Sequence, residues 1–281
     1  MAGVLWGTIG IFVNELNALG AGSALTCFMR MFFAFVIMSA VALVRHGKKF
    51  FIADRRVIFL CAMLGLVCHG IFNICYTASI KLNGMGVACV LMYSAPVFTA
   101  IASRIIFREK MSGLKIFALS LNILGCVLTV TGGNVFGNSD ISLIGVIAGL
   151  GSGFCYGMVA IIGKSVGDRA DPITMSAYSY LFAVVFFALF TRPELGAALN
   201  NIKIPVIGFL YGLIPTSIAY MVYYSGLKRV RDATRVPVIA SVEPIAAVLL
   251  GLVIYNERVG VVNFVGVAIV LLSIAIMIKE K

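Results

Sequence analysis

The sequence predicts an all-α integral membrane protein of about ten transmembrane helices in two inverted five-helix repeats. Three observations predict it: an extreme apolar composition, its division into runs of bilayer length, and an internal repeat. Of the 281 residues, 61% are hydrophobic and 12% charged, with a mean hydropathy of +1.07. A soluble domain is roughly half apolar and about a quarter charged, and a single core in water could not hide so much apolar surface. Crossing a hydrocarbon layer about 30 Å thick takes about 20 helical residues, and runs of that length recur along the whole chain.

Charge and turn residues delimit the spans. The first, roughly 1–17, begins at Met1 with no basic segment and no small-residue cleavage site, so it reads as a span rather than a signal peptide. Its apolar run starting at the first residue implies either a helix that begins there or a missing upstream segment. The second runs over about 22–44 and ends at the polar linker RHGKKFFIADRR, 45–56. Spans at about 57–79, 85–107 and 113–132 complete a first repeat, 1–132. A second repeat, 142–281, holds spans at about 142–164, 174–191, 205–226, 234–255 and 261–278, the first two joined by KSVGDRADP, 164–172. No linker is long enough to form a soluble domain.

The repeat is visible in the text. SAPVFTAIASRIIFREK (94–110) in span four recurs as VEPIAAVLLGLVIYNER (242–258) in span nine, pairing Pro96 with Pro244, Glu109 with Glu257 and Lys110 with Arg258. The same offset pairs Tyr76 with Tyr224, and Gly3, Trp6 and Gly7 correspond to Gly153, Tyr156 and Gly157. Because five is odd, tandem five-helix units must enter the membrane in opposite senses. Lysine and arginine agree, since loops rich in them stay cytoplasmic. With the N-terminus inside, sixteen of the 22 bases fall in cytoplasmic loops or the C-terminus: Arg45, Lys48, Lys49, Arg55, Arg56, Arg108, Lys110, Lys115, Lys164, Arg169, Lys228, Arg229, Arg231, Arg235, Lys279 and Lys281. Four, Lys81, Arg192, Lys203 and Arg258, fall outside, while Arg30 and Arg104 lie within spans. Both termini are therefore expected in the cytoplasm. The formal net charge of +11 thus reflects topology-setting loops rather than a nucleic-acid surface. Inverted repeats recur in secondary transporters, which bind near the midplane and expose the site alternately.

The Trp6-Gly7 pair, Arg30, the block from Pro96 to Glu109 and its copy from Pro244 to Glu257 resemble the EamA family of the drug/metabolite transporter superfamily, over essentially the whole chain. The resemblance implies a ten-helix secondary transporter in the bacterial cytoplasmic membrane, exporting an amino acid or related small metabolite. Two departures stand out: Tyr156-Gly157 replaces Trp-Gly in span six, and Ser179 stands in span seven where span two has Arg30. The competing reading is a multidrug or organic-cation efflux carrier; a channel would have to conduct through one bundle or by assembly.

Candidate solute-binding residues follow from what an apolar span tolerates. An ionisable group inside one costs about 2.5–3.5 kcal/mol on insertion scales and should face a cavity or a partner. Glu243, beside Pro244, could meet an ammonium group or a proton next to a carbonyl left open by proline, or be a protonated structural glutamate. Arg30 could grip a carboxylate in two-point fashion, or pair internally with Glu15 or Glu243. Glu15, beside Asn14 and Asn17, is expected to be solvated. His69, Asn73 and Tyr76 in span three repeat the i, i+4, i+7 spacing of Thr216, Tyr220 and Tyr223 in span eight; lining a cavity and bonding between helices are both open to them. Trp6, Tyr93, Tyr156 and Tyr180, with Ser94, are aromatic or polar candidates for the same cavity.

Gly149, Gly153 and Gly157 form a small-residue stripe for close helix packing and no dinucleotide fingerprint. Glu109 and Glu257 are expected to cap helix ends. All seven cysteines sit inside apolar runs, and none forms a C-x-x-C pair or lies at ligand spacing from a histidine, Cys61, Cys68 and Cys75 on one helix face included; no metal or cofactor is expected. With His46 and His69 the only histidines and no G-x-S-x-G or H-E-x-x-H, an intramembrane enzyme is disfavoured. The expected partners are a small-molecule substrate and the lipid bilayer, with no nucleic acid; a homodimer is left open.

Overall fold

The computed structural model describes residues 1–47, 54–134, 141–199, 201–230, 232–255 and 260–279, with the side chains at 168, 192–199 and 255 outside that description. Lys48, Lys49, Arg231, Glu257, Arg258 and Lys281 therefore lie outside the described residues, as does the side chain of Arg192. Among the described residues every regular element is helical. Eight helical stretches are long and apolar enough to cross a membrane, and Ala95–Ile106 is a shorter apolar helix. The all-α membrane architecture expected from composition is what the chain adopts.

In chain order the helices are α1 (Ala2–Gly7), α2 (Ile9–Ala18), α3 (Ser23–His46), α4 (Arg55–Met63), α5 (Phe72–Met92), α6 (Ala95–Ile106), α7 (Gly113–Thr131), α8 (Leu143–Val166), α9 (Pro172–Leu199), α10 (Lys203–Gly212), α11 (Ala219–Arg229), α12 (Arg235–Ala240), α13 (Val242–Tyr255) and α14 (Val261–Lys279). Two π-helical segments interrupt the series, Leu64–Ile71 between α4 and α5 and Leu213–Ile218 between α10 and α11. Gly84, at φ 79°, breaks α5, so that spans three and four meet at a glycine with no Cβ to strain the left-handed turn. Helix starts carry their caps: Asp54 accepts from the Arg56 N–H, Ser112 from Lys115, and Asp171 from Ile173 and Thr174.

The chain forms two compact units, each drawn from both sequence repeats. The first comprises Met1–Gly70 and Ile162–Arg229. In it α3 packs along α9 and α10, with α4 against α9, α2 against α10 and α1 against α11. Close approach is set by small residues: a Cβ on Gly212 would lie 2.8 Å from the Phe33 Cβ and 3.0 Å from the Arg30 carbonyl. The second comprises Ile71–Ile161 and Val230–Lys281, and its principal pair is α7 with α14. There Gly125 faces Gly266 and Val270, and a Cβ on Gly125 would fall 2.7 Å from the Val270 nitrogen. Asn122 donates to Ser273 at 3.0 Å and Asn263 to the Thr129 carbonyl at 2.9 Å. Without a hydrophobic drive between helices in lipid, small residues and such hydrogen bonds hold the pair.

Candidate functional site

Five of the ten predicted spans are irregular: span one breaks at Thr8, between α1 and α2, and the other four irregularities come in pairs. The π-helical segment of span three, Leu64–Ile71, and that of span eight, Leu213–Ile218, occupy equivalent positions of the two repeats. Span four breaks at Tyr93 and Ser94, between α5 and α6, and span nine at the equivalent Ser241, between α12 and α13. Non-helical backbone at membrane depth is tolerated where it is buried in protein or lines a cavity, and π-turns concentrate at functional sites.

In the first unit these features gather Arg30, His69, Thr216, Tyr220, Trp6 and Tyr180. Arg30, on α3, is 9% exposed; its Nε donates to the Thr216 hydroxyl at 2.9 Å and its Nη1 to the Tyr211 hydroxyl at 3.4 Å. Its guanidinium also stands 5.1 Å from the Tyr211 ring centroid, in cation–π range. Thr216 donates in turn to the Tyr211 carbonyl at 2.9 Å, five residues back, which is the π-turn spacing. Tyr180, fully buried on α9, donates to the Thr216 carbonyl at 3.4 Å. His69 packs between Tyr180 and Tyr220, with centroids at 5.7 and 5.3 Å, and Trp6 contacts Tyr220 and Tyr223, both at 5.1 Å. Tyr223 is buried against Trp6. Glu15 is exposed and is not a partner of Arg30.

In the second unit lie Glu243, Tyr156, Tyr93 and Asn73. Tyr156, on α8, donates to Glu243 Oε2 at 2.9 Å. Phe72 stacks on Tyr76 at 5.7 Å and tilts against Tyr156 at 6.0 Å, and the Tyr76 hydroxyl meets Cys89 Sγ at 2.9 Å. Tyr93, 8% exposed, belongs to the same cluster, and Asn73 is half-buried next to Phe72. Pro244 was expected to open a carbonyl inside a continuous helix. Instead, Glu243 and Pro244 lie in the first turn of α13, where proline's missing N–H costs no helical bond and the helix N-terminus presents partial positive charge near the carboxylate. Next to this break, Ser241 donates to Asn122 Oδ1 at 3.0 Å, joining span nine to α7.

The stripe Gly149, Gly153 and Gly157 has a specific counterpart, the broken segment of span four. A Cβ on Gly153 would lie 2.8 Å from the Leu91 carbonyl and one on Gly157 2.7 Å from that of Ala95, while Thr99 donates to the Gly157 carbonyl at 2.9 Å. Glu109, expected to cap a helix end, bonds to the segment that leads into another helix. Its carboxylate accepts from the Ala233 N–H at 3.1 Å and the Thr234 hydroxyl at 3.4 Å, just before α12. Beside it Asp232 pairs with Lys115 and lies 3.6 Å from Arg235. Asp232 sits outside the spans, and its carboxyl is held at about 2, below the ordinary 3.8. Burial raises it, and hydrogen bonds with Glu109 and Lys115, aided by the Lys115 charge, more than reverse that effect.

Sequence spacing missed Tyr211, Phe72 and Cys89. On a regular helix Tyr211 and Thr216 point about 140° apart, and only the π-turn joins them. The same irregularity divides the predicted face of span three, leaving His69 in the first unit and Asn73 and Tyr76 in the second.

Comparison with known proteins adds the following. The model of the EamA-like transporter family matches residues 1–131 and 143–279. An uncharacterized transporter of Archaeoglobus fulgidus is 25% identical over 285 residues, covering 100% of this chain and 94% of that one. The uncharacterized inner membrane transporter YedA of Escherichia coli K12 is 23% identical, over 99% of this chain and 88% of its own. The uncharacterized transporter YwfM of Bacillus subtilis is also 23% identical, over 76% and 71%. A solved crystal structure of a protein matches with a TM-score of 0.84 at 16% identity, covering 99% of this chain and 95% of that one, a likeness of fold.

Proposed function

Because the chain belongs to the EamA-like transporter family, we propose that this membrane transporter is a secondary carrier exporting a small metabolite, such as an amino acid, across the bacterial cytoplasmic membrane by alternating access. The observation that carries the reading is the pairing of irregular segments: π-helices at 64–71 and 213–218, and breaks at 93–94 and 241. Carriers built from inverted repeats bind solutes at discontinuous helices, where half-helix ends and freed backbone groups meet the ligand. On this reading both termini are cytoplasmic and the repeats 1–132 and 142–281 are inverted. The residues proposed for solute contact are Arg30, His69, Thr216, Tyr220, Trp6 and Tyr180 within the first unit and, taken separately, Glu243, Tyr156, Tyr93 and Asn73 within the second.

A second reading, efflux of organic cations, has one observation in its favour: the Glu243 carboxylate accepts from Tyr156, whose ring packs on Phe72, itself stacked on Tyr76, a setting that suits a cation. The two are separated by a thermal-shift screen of purified protein against amino acids, nucleosides, sugars and cationic drugs, since a specific ligand stabilises in proportion to its affinity. Hits are then tested for counterflow in proteoliposomes. A carrier shows saturable stimulation by solute on the opposite side, and flux without it identifies a channel.

A further inference from the structure

We propose that Arg30 is a carboxylate-binding group, so that the first unit recognises the acidic end of its solute and discriminates against organic cations. The proposal rests on the carrier reading and names the chemistry of that site. A guanidinium has five N–H donors, of which Arg30 gives one to Thr216 and one to Tyr211, both neutral hydroxyls. The second N–H of Nη1 and both of Nη2 together form the end-on edge of the fork, beyond the two bonds to hydroxyls.

A buried charge is ordinarily paired, since an unpaired one in a dry interior is strongly disfavoured. The unit offers no counter-ion among its described acids. Glu15 is exposed; Asp54 caps α4 and faces Arg169; Asp171 caps α9 and pairs with His46. The groups that act on the guanidinium, Tyr211, Tyr220, Cys27 and Tyr180, are hydroxyls and a thiol rather than carboxylates. The fork is also held in place. The Tyr211 ring lies against it, and Thr216 is fixed by its own bond to the Tyr211 carbonyl, so the edge waits in one orientation. A planar two-donor edge with a positive charge matches the two oxygens of a carboxylate.

The chain's single tryptophan, Trp6, packs on Tyr220 in this same unit and supplies the reporter. Trp6 emission of the whole protein is titrated with the twenty amino acids and their 2-oxo acids, and then, for each that acts, with its methyl ester and its decarboxylated amine. The expected result is saturable change with at least one acid, weakened about tenfold or more in the ester and the amine, as loss of a charge-assisted hydrogen bond implies. Arg30→Lys should weaken the acid, and Arg30→Gln should abolish its effect. The ester and amine arms use the wild-type protein, so the outcome does not depend on how well a variant folds. No response to any acid overturns the subsite, as do esters or amines that act as well as acids. Counterflow separates this from the parent reading: exchange of esters and amines equal to that of acids removes the subsite and keeps the carrier. Saturable acid binding without exchange of any solute keeps the subsite and removes the carrier.

Discussion

At the scale of single residues, Thr216 is the hinge of the first cluster, since one hydroxyl accepts from Arg30 and donates to the Tyr211 carbonyl. Thr216→Val keeps the shape and strips both bonds. Leaving buried polar groups unmatched costs about 1–3 kcal/mol, so the variant should unfold at lower temperature in detergent and bind acids more weakly. Glu243 is tested by Glu243→Gln, with transport measured across a panel of metabolites at several pH values. Loss or a flattened pH profile is expected, and unchanged transport at every pH would remove the residue from the mechanism. Tyr156→Phe deletes the 2.9 Å bond to the same carboxylate and should shift transport in the same sense by a smaller amount.

At the scale of elements, the close helix contacts decide which substitutions are tolerated. In Gly157→Ala the new methyl would meet the Ala95 carbonyl at 2.7 Å, a backbone atom that cannot turn aside. Overpacking of this kind costs about 1–3 kcal/mol and here also displaces the break in span four. Lower thermal stability together with reduced transport is expected, whereas alanine at Gly10, with nothing within 4 Å, should leave both unchanged. The junction of α6 and α12 responds to acid. Asp232 titrates at about 2 in the folded protein against an ordinary 3.8, so below 3.8 the unfolded chain binds the extra proton. Its contribution to stability is complete above that value and is lost as pH falls toward about 2. Thermal unfolding against pH should show this acid limb, flattened in Asp232→Asn.

At the scale of the whole molecule, the odd number of spans per repeat makes a topological prediction. Alkaline phosphatase fused in the 133–141 linker should be active outside the cytoplasm, and the same enzyme at the C-terminus inactive. Activity at both or neither would end the inverted arrangement. How much was legible depended on range. Bilayer-length apolar runs and the glycine stripe follow from local composition and spacing, and they were readable from residues a few positions apart. The partners of Glu109 were not readable, because Ala233 and Thr234 lie more than a hundred residues away.

By itself the sequence determined that this is a multi-span helical membrane protein with two related halves, because lipid demands long apolar helices and leaves each repeat its mark in the text. Tertiary structure decided the rest. The compact units draw on both halves rather than following the repeats. Two π-turns and the paired helix breaks regroup side chains that regular spacing keeps on different faces, and among the described residues Arg30 bonds to neutral hydroxyls. The physical reason is that helix periodicity assigns faces only while the turn stays at 3.6 residues, and the candidate site is built where it does not.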